Sequence, residues 1–240
     1  MRRFFLNSQA IEKDFAFITG SDVHHIRDVL RLGPGDAITV IDESAAEYTV
    51  EIVALSDHEV RARIIAVKRP GAPCVFLSLF QGLPKGTKFD RIIEKATELG
   101  ADRISPVIME RSVARPDAAT GGRVERWRRI AEAAAKQSRR PTLPQIDPPL
   151  SWSEFKNTLA DFDLVIVFWE GASDPVDLAL SGFAGQNLAV VIGPEGGLAA
   201  AEVTALVDAG AKTAWLGPRI LRTETAPVAA LALVNFVLGR

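Results

Sequence analysis

The chain has 240 residues, of which 48% are hydrophobic and 24% charged, with one cysteine and three histidines. This composition is typical of a globular protein and not of a disordered or fibrous one. One cysteine excludes an intramolecular disulfide, and three histidines leave little material for a zinc site. No apolar run reaches the ~18 residues of a membrane helix, and the start of the chain does not read as a signal peptide. We expect a soluble cytoplasmic protein without a metal.

The formal net charge of −2 hides an uneven distribution along the chain. Residues 1–70 and 146–240 carry −2 and −6, whereas residues 71–145 carry +6. The densest basic stretch runs from Arg111 to Arg140, and eight of its nine basic residues are arginines. It is either a solvated helix face or a surface for an anionic partner. Because the arginine fork matches phosphates and base edges, the composition favours nucleic acid.

The first seventy residues predict a small β-rich domain. The predicted elements are a strand at 15–18, a helix from a cap at Ser21 or Asp22 to Val29, and strands at 37–41, 48–54 and 60–67. A Gly-Pro-Gly-Asp turn lies at 33–36. Short strands joined by tight turns favour a small barrel. Residues 68–73 are typical of a linker, so we place the first domain at residues 1–70.

From residue 74 onward, strands and helices alternate. The predicted strands are 75–80, 104–108, 164–169, 188–192 and 213–216, and the predicted helices are 88–99 after a Thr87 cap, 124–139, 199–209 and 224–238. Alternation predicts an α/β domain of residues 74–240 with a mostly parallel sheet covered on both faces; Cys74 is expected to pack at the start of its first strand. Ligands of such sheets bind beyond the carboxyl ends of the strands. We therefore expect chemistry in the loops after Trp169, Ile192 and Leu216.

Two of these loops are unusual in composition. The first, residues 192–198, reads Ile-Gly-Pro-Glu-Gly-Gly-Leu. It is neither a P-loop nor a dinucleotide motif. Its glycines indicate either a tight strand-to-helix connection or close approach of the backbone to a ligand. Glu195 suits hydroxyl or amino groups better than a phosphate.

The second loop, residues 216–226, reads Leu-Gly-Pro-Arg-Ile-Leu-Arg-Thr-Glu-Thr-Ala. Ile220 and Leu221 are apolar residues inside a polar turn, which indicates a pocket wall. Thr223 is a natural N-cap for the last helix, and Glu224 in the first turn favours the helix dipole. Arg222 lies at the wrong helix end for its charge, so capping does not explain it.

Together the two loops resemble the paired signature of the SPOUT superfamily, the trefoil-knot RNA methyltransferases, and are most similar to the bacterial 16S ribosomal RNA uridine-N3 methyltransferases. Residues 24–31 resemble that family's N-terminal PUA-like barrel, and residues 94–100 and 127–137 resemble its catalytic domain. The resemblance implies an α/β fold with a mostly parallel sheet and a C-terminal trefoil knot, preceded by a small PUA-like β-barrel. Ala199 and Pro227 depart from the family pattern.

The resemblance implies that S-adenosylmethionine binds in the knot. The cofactor-binding residues that it implies are Trp169, Glu170, Ile192, Gly193, Pro194, Glu195, Gly196, Gly197, Leu216, Gly217, Ile220, Leu221 and Arg222. It also implies attack of uracil N3 on the methyl group. Our hypothesis is that Arg222 stabilises the uracil anion, Glu224 acts as a base and Thr223 orients the site; a helix-dipole role remains the alternative for Glu224.

The implied partner is 16S ribosomal RNA in the small ribosomal subunit, and the implied assembly is a homodimer. The candidate RNA-binding residues are Arg27, Arg31, Arg123, Arg126, Arg129, Arg139 and Arg140. The apolar last helix is compatible with a dimer interface or with core packing. Two alternatives stay open, namely a knot methyltransferase that acts on another RNA or on a ribose 2′-hydroxyl, and a non-catalytic ribosome-assembly factor. His24 and His25 are expected to be structural or to face RNA rather than to hold a metal.

Overall fold

The computed structural model describes residues 2–69, 75–113 and 120–239. The chain divides into two compact units, one of Met1–Ala72 and Ala135–Thr142, the other of Pro73–Ala134 and Leu143–Arg240. Cys74 and most of the predicted linker lie outside the described residues, as do residues 114–119 of the basic stretch.

The first unit is a curled six-stranded half-barrel. Its strands are β1 (Arg3–Phe5), β2 (Ile11–Glu12), β3 (Phe15–Thr19), β4 (Ala37–Ile41), β5 (Glu47–Leu55) and β6 (Glu59–Lys68), with a 3-10 turn at Ser8–Ala10. The strand order is β1-β4-β5-β6-β3-β2, and its neighbours are antiparallel except for β1 and β4. The sequence predicted four of these strands. It missed β1 and β2, whose three and two residues show no periodicity.

The inner face of this sheet follows the two-residue alternation of its strands. Ala16 and Ile18 of β3 are fully buried in the core, whereas Phe15 and Phe17 point to the other face. The Arg61 guanidinium lies 4.0 Å from the centre of the Phe15 ring and so covers that aromatic surface. Strand β3 is therefore half-buried, with one face in the core and the other outside it.

The short helix of the first unit begins earlier than a serine or aspartate cap predicts. Helix α1 spans Ser21–His24, and a π-helical turn continues it over His25–Val29. Gly20 is the N-cap, with φ of +71°, so the predicted cap at Ser21 or Asp22 is wrong. Glycine takes this left-handed conformation without steric cost. The π turn is closed by the Leu30 amide, which donates to the His25 carbonyl at 2.9 Å.

The second unit is built on a parallel sheet. Its strands are β7 (Phe76–Gly82), β8 (Arg103–Ile108), β9 (Gln145–Ile146), β10 (Leu150–Ser151), β11 (Leu164–Phe168), β12 (Asn187–Ile192) and β13 (Lys212–Ala214). The order is β10-β8-β7-β12-β11-β13, with β9 beside β8, and every strand pair found in the described part is parallel. The predicted α/β class is confirmed.

Helices cover both faces of this sheet. They are α2 (Lys88–Glu98), α3 (Thr120–Ser138), α4 (Trp152–Asn157), α5 (Val176–Leu180), α6 (Ala200–Asp208) and α7 (Ala226–Leu238), with a 3-10 turn at Leu159–Asp161. Leu188 and Val190 of β12 face the core formed with α2, α3, α5 and α7, whereas Ala189 and Val191 face α4 and α6. Because both faces are buried, the strand is a continuous apolar run rather than an alternating one.

Candidate functional site

A cleft lies at the carboxyl edge of the parallel sheet. Strand β11 is paired with β12 on one side and β13 on the other, so the loops that follow these three strands meet at one edge. They enclose a cavity of about 470 Å³. This volume is within the range of small-molecule sites. The sheet topology therefore brings together the three loops in which we expected the chemistry.

The cleft collects nearly all the residues predicted for cofactor binding and catalysis. The predicted residues that line it are Trp169, Glu170, Ile192, Gly193, Pro194, Glu195, Gly197, Leu216, Gly217, Ile220, Leu221, Arg222, Thr223 and Glu224. Gly196 does not line the cleft; its carbonyl accepts a hydrogen bond from Arg111 at 2.9 Å. The lining residues that sequence reasoning missed are Lys88, Phe168, Leu198, Trp215, Pro218, Arg219 and Ala226.

Glycines let the loop after β12 pack tightly. A Cβ atom on Gly82, at the end of β7, would lie 2.4 Å from the backbone nitrogen of Pro194. A Cβ atom on Gly193 would lie 2.9 Å from the carbonyl carbon of Gly197, whose own φ is +70°. The Gly197 amide donates to the Pro194 carbonyl at 2.9 Å and closes the turn. The glycines are thus required by the fold of the loop itself.

Glu195 anchors this loop to the segment that leads into α2. Its Oε1 accepts hydrogen bonds from the Lys85 amide at 3.0 Å and from Lys88 Nζ at 2.9 Å. Partial burial opposes ionisation, but the hydrogen bonds from Lys88 and the Lys85 amide outweigh it and lower the pKa of Glu195. The carboxylate is therefore charged at neutral pH and tied to Lys88.

The start of α6 is supported despite the departure at Ala199, which is its N-cap. Alanine has no side-chain acceptor, but the buried Glu202 carboxylate accepts from the Ala199 amide at 2.9 Å and from the Glu110 amide at 2.8 Å. Glu202 therefore satisfies amides that would otherwise lack partners at this helix start.

The last helix begins later than predicted, and this changes the role of Thr223. Helix α7 starts at Ala226 with Thr225 as its N-cap, and the Thr225 and Ala226 amides donate to the Arg222 carbonyl. The predicted capping role of Thr223 is therefore wrong. Instead Thr223 is buried, accepts a hydrogen bond from Gln81 Nε2 at 3.2 Å and donates to the Gly193 carbonyl at 3.3 Å.

Arg222 and Glu224 flank Thr223 in different surroundings. Arg222 is exposed, and its guanidinium makes no hydrogen bond or ion pair with the described residues. Glu224 is half-buried, and its buried Oε2 has no hydrogen-bond partner within the described ranges. A buried acceptor without a partner costs free energy, so this atom is suited to accept a hydrogen bond from a bound molecule. The cleft lining thus includes an unpaired cation, Arg222, and a carboxylate with one buried, unpaired oxygen, Glu224.

The two apolar residues of the loop after β13, Ile220 and Leu221, differ in how far they are buried in the cleft wall. Ile220 lines the cleft but is 88% exposed, whereas Leu221 is half-buried. Buried apolar lining comes from Phe168, Ile192 and Leu198.

The candidate RNA-binding arginines divide by their partners. In the first unit Arg27 pairs with Asp28 at 2.8 Å and with Asp57 at 2.5 Å, and its hydrogen bond lowers the pKa of Asp28 to about 2. Arg31 is exposed, with φ of +53°. Arg139 is exposed too, whereas Arg140 is only 9% exposed and donates to Thr142, so Arg140 is poorly placed for RNA.

In the second unit the three candidate arginines lie on α3. Arg126 pairs with Asp90 at 2.5 Å, while Arg129 is exposed and makes no ion pair with the described residues. Arg123 is exposed as well. Within the described ranges, no group of three or more His, Cys, Asp or Glu side chains is arranged to hold a metal ion. No helix there has the length and apolar character needed to cross a membrane.

The fold and cleft define a ligand-binding α/β protein with an additional small β unit. A family model described as an RNA methyltransferase domain matches residues 72–235, and one described as an RNA methyltransferase PUA domain matches residues 18–65. A Bacillus subtilis protein named ribosomal RNA small subunit methyltransferase E is 37% identical over 98% of this chain and 96% of its own length. The chain therefore belongs to the RNA methyltransferase family, among the proteins named ribosomal RNA small subunit methyltransferase E.

Other relatives agree with this assignment. The protein of the same name from Mycobacterium tuberculosis is 34% identical over 94% of this chain and 87% of its own length. The crystal structure of the Neisseria gonorrhoeae protein of that name, bound to S-adenosylmethionine, has a TM-score of 0.85 and 29% identity, and the match covers 99% of this chain and 98% of that chain. The resemblance to SPOUT methyltransferases is confirmed.

Proposed function

We propose that this protein transfers the methyl group of S-adenosylmethionine to N3 of a uridine in 16S ribosomal RNA of the small ribosomal subunit, in the cytoplasm. The observation that carries the proposal is the cleft, which brings the free guanidinium of Arg222 and the free Oε2 of Glu224 beside the loop at Gly193–Gly197. The names of the relatives supply the substrate class.

The cleft residues fit S-adenosylmethionine. Its volume of about 470 Å³ accommodates a nucleoside-sized ligand, and its lining combines buried apolar side chains with the carboxylates of Glu170 and Glu224. Apolar surface suits the adenine ring, and carboxylates suit the cofactor's ammonium, hydroxyl and sulfonium groups. The residues that we propose to hold it follow β11, β12 and β13, from Trp169, Gly193 and Leu216 onward. When bound, the cofactor supplies an electrophilic methyl carbon.

The protein's residues then have to stabilise the negative charge on uracil and accept its N3 proton. Uracil N3 would lose its proton, and the negative charge would spread to the neighbouring carbonyl oxygens. Its bond to the methyl carbon would form as the sulfur–methyl bond breaks, and S-adenosylhomocysteine would leave as the neutral thioether. We assign stabilisation of that charge to the Arg222 guanidinium, which makes no ion pair with the described residues and so is available to the substrate. We propose that Glu224 Oε2 accepts the N3 proton as a general base, and that Thr223 between the two residues positions both of them.

RNA binding is proposed for each unit separately. In the second unit, the residues proposed to contact phosphates are Arg123, Arg126 and Arg129 of α3. In the first unit, they are Arg27, Arg31 and Arg139. Phosphate contacts of this kind position an RNA without reading its sequence.

A homodimer is also proposed, through α7. Leu233, Phe236 and Val237 lie three and four residues apart, so they share one helix face, and all three are exposed. Phe236 is 83% exposed. A contiguous apolar helix face of this kind is typical of a protein interface.

The experiment that tests the function offers labelled S-adenosylmethionine with small ribosomal subunits, large subunits and transfer RNA, each lacking its native methylation. Label confined to the small subunit supports the proposal. Label in another RNA favours a methyltransferase with a different substrate. Cofactor binding without any transfer means that none of the three RNAs is the substrate, and absence of both binding and transfer favours a non-catalytic assembly factor.

A further inference from the structure

A glutamine that sequence reasoning did not single out lies directly behind the cleft. Gln81 is the second-last residue of β7, pairs in register with Ile192 of β12, and is fully buried. Its Nε2 lies within hydrogen-bond distance of three acceptors, the Gly193 carbonyl at 3.0 Å, the Gly82 carbonyl at 3.1 Å and Thr223 Oγ1 at 3.2 Å, so its two protons serve three acceptors and one proton is shared. One amide nitrogen thus contacts the end of its own strand and two loops at the carboxyl edge of the sheet.

The surroundings determine which way the amide lies. The carbonyls of Gly82 and Gly193 can only accept hydrogen bonds, so a flipped amide would set its oxygen against both of them. Thr223 donates its own proton to the Gly193 carbonyl, which leaves its oxygen free to accept from Gln81. Gln81 Oε1 has no partner among the described residues. Burying this unpaired acceptor costs free energy, and the hydrogen bonds of Nε2 offset that cost.

These contacts join two loops that follow different strands. Gln81 Nε2 contacts both the Gly193 carbonyl and Thr223 Oγ1, and Thr223 Oγ1 also donates to the Gly193 carbonyl. Arg222 directly precedes Thr223 and Glu224 directly follows it, and these are the two residues proposed to act on uracil. A shift of Thr223 therefore moves both of them relative to Gly193.

We propose that Gln81 is a positioning residue for methyl transfer, which acts through Thr223 to hold Arg222 and Glu224 against the Gly193 loop. The effect on turnover rests on the proposed function, whereas the geometry rests on the hydrogen bonds alone. Misplacement of reacting groups by about 1 Å lowers rates by up to about 100-fold, so the loss of this contact is expected in kcat.

The test compares Gln81→Met, Thr223→Val and the double variant with the wild type. Methionine keeps the length of glutamine and valine the shape of threonine, but neither makes these hydrogen bonds. Each single change is expected to lower kcat by about tenfold or more, with the affinity for S-adenosylhomocysteine changed less than about threefold by calorimetry. The double variant is expected to lose little beyond either single variant, because both changes break one unit.

Two controls separate positioning from general damage. Ser78→Ala removes another fully buried polar group from β7, away from the cleft, and is expected to leave kcat within about twofold. Thr223→Ser keeps the hydroxyl and is expected to restore most of the turnover lost in Thr223→Val. Losses that multiply in the double variant, wild-type kcat in Gln81→Met, or no rescue by serine would overturn the proposal.

A second readout does not depend on turnover. The side-chain amide signal of Gln81 in nitrogen-labelled protein is expected to exchange slowly with solvent and to shift in Thr223→Val. Rapid exchange, or an unchanged signal, contradicts the geometry. Absence of methyl transfer by the wild type would instead count against the proposed function and leave this readout intact.

Discussion

The charge of Arg222 is explained neither by an ion pair nor by helix capping within the described part of the chain. The residue is exposed at the cleft, makes no ion pair with the described residues and lies before the N-terminus of α7, where a cation is unfavourable. We predict that Arg222→Ala lowers kcat by about 100-fold or more while cofactor affinity changes less than about threefold, because its charge acts on the substrate anion. Steady-state kinetics and calorimetry measure the two quantities. Near-normal turnover would remove Arg222 from the mechanism, and Arg222→Lys serves as the charge-matched control.

The arginines of α3 provide a second prediction at this scale. Arg129 has no ion pair among the described residues, whereas Arg126 must leave Asp90 to reach a phosphate. We predict that Arg129→Gln weakens RNA binding more than Arg126→Gln and reduces the slope of log K against log salt by about 0.7 to 0.9. Affinity measured over a salt series checks this. Equal losses in the two variants would show that the Asp90 pair does not matter.

Sequence reasoning reached the cleft residues but not all their roles. Gly193, Glu195 and Arg222 are visible as unusual residues in loops after apolar strands. The role of Gln81 could not be predicted from the sequence, because the importance of a glutamine near the end of a strand depends on which residues lie beside it in the fold. Thr223 looked like a helix cap because local sequence cannot show that a turn precedes α7.

At the scale of elements, the loop between β4 and β5 is organised by one carboxylate. Asp42 accepts hydrogen bonds from the Ser44 and Ala46 amides and from the Ser44 and Tyr48 hydroxyls, at 2.7 to 3.0 Å. Burial opposes its ionisation, but these hydrogen bonds outweigh that and lower the pKa of Asp42. Its ionised form therefore stabilises the first unit.

We predict that Asp42→Asn lowers the stability of this loop by about 1–2 kcal/mol at pH 7. Because the folded pKa is lowered, the wild-type advantage is present above the unfolded pKa of about 3.9 and is lost as the pH falls through the folded pKa. Hydrogen exchange of the Ser44 and Ala46 amides at several pH values measures the difference. A gap between variant and wild type that is constant down to pH 2 would contradict it.

The elements that the sequence predicted are those with long patterns. Strand β11 is a continuous apolar run, β12 is one after Asn187 and β7 is mostly apolar, while α2 shows helical spacing of buried residues. Strands β9 and β10 have two residues each, and α4 and α5 have six and five, so periodicity is too short to detect there. Their formation depends on pairing with β8 and on packing against the finished sheet.

For the whole molecule, the exposed face of α7 determines the expected assembly. We predict that the wild type sediments at twice the 25.9 kDa of one chain and that Phe236→Glu sediments as a monomer, because a buried charge opposes an apolar interface. Leu178→Glu, an exposed leucine on α5, is the matched control and is expected to remain a dimer. A monomeric wild type would refute the proposed interface.

The division of the chain was predictable only in part. The change from short strands to strand–helix alternation near residue 70 marks where one fold pattern gives way to another. Residues Ala135–Thr142, in contrast, belong to the first compact unit although they lie far along the chain. A linker in the sequence marks a covalent connection and cannot reveal which later segment packs with an earlier unit.

Nucleoside analysis distinguishes methylation of uracil at N3 from methylation at any other atom of the RNA. Small ribosomal subunits that lack the modification are treated with the protein and S-adenosylmethionine, and their 16S ribosomal RNA is digested to nucleosides for chromatography and mass spectrometry. We predict 3-methyluridine, absent when Arg222→Ala replaces the wild type. A methyl group on a ribose 2′-oxygen or on another base would contradict the proposed reaction.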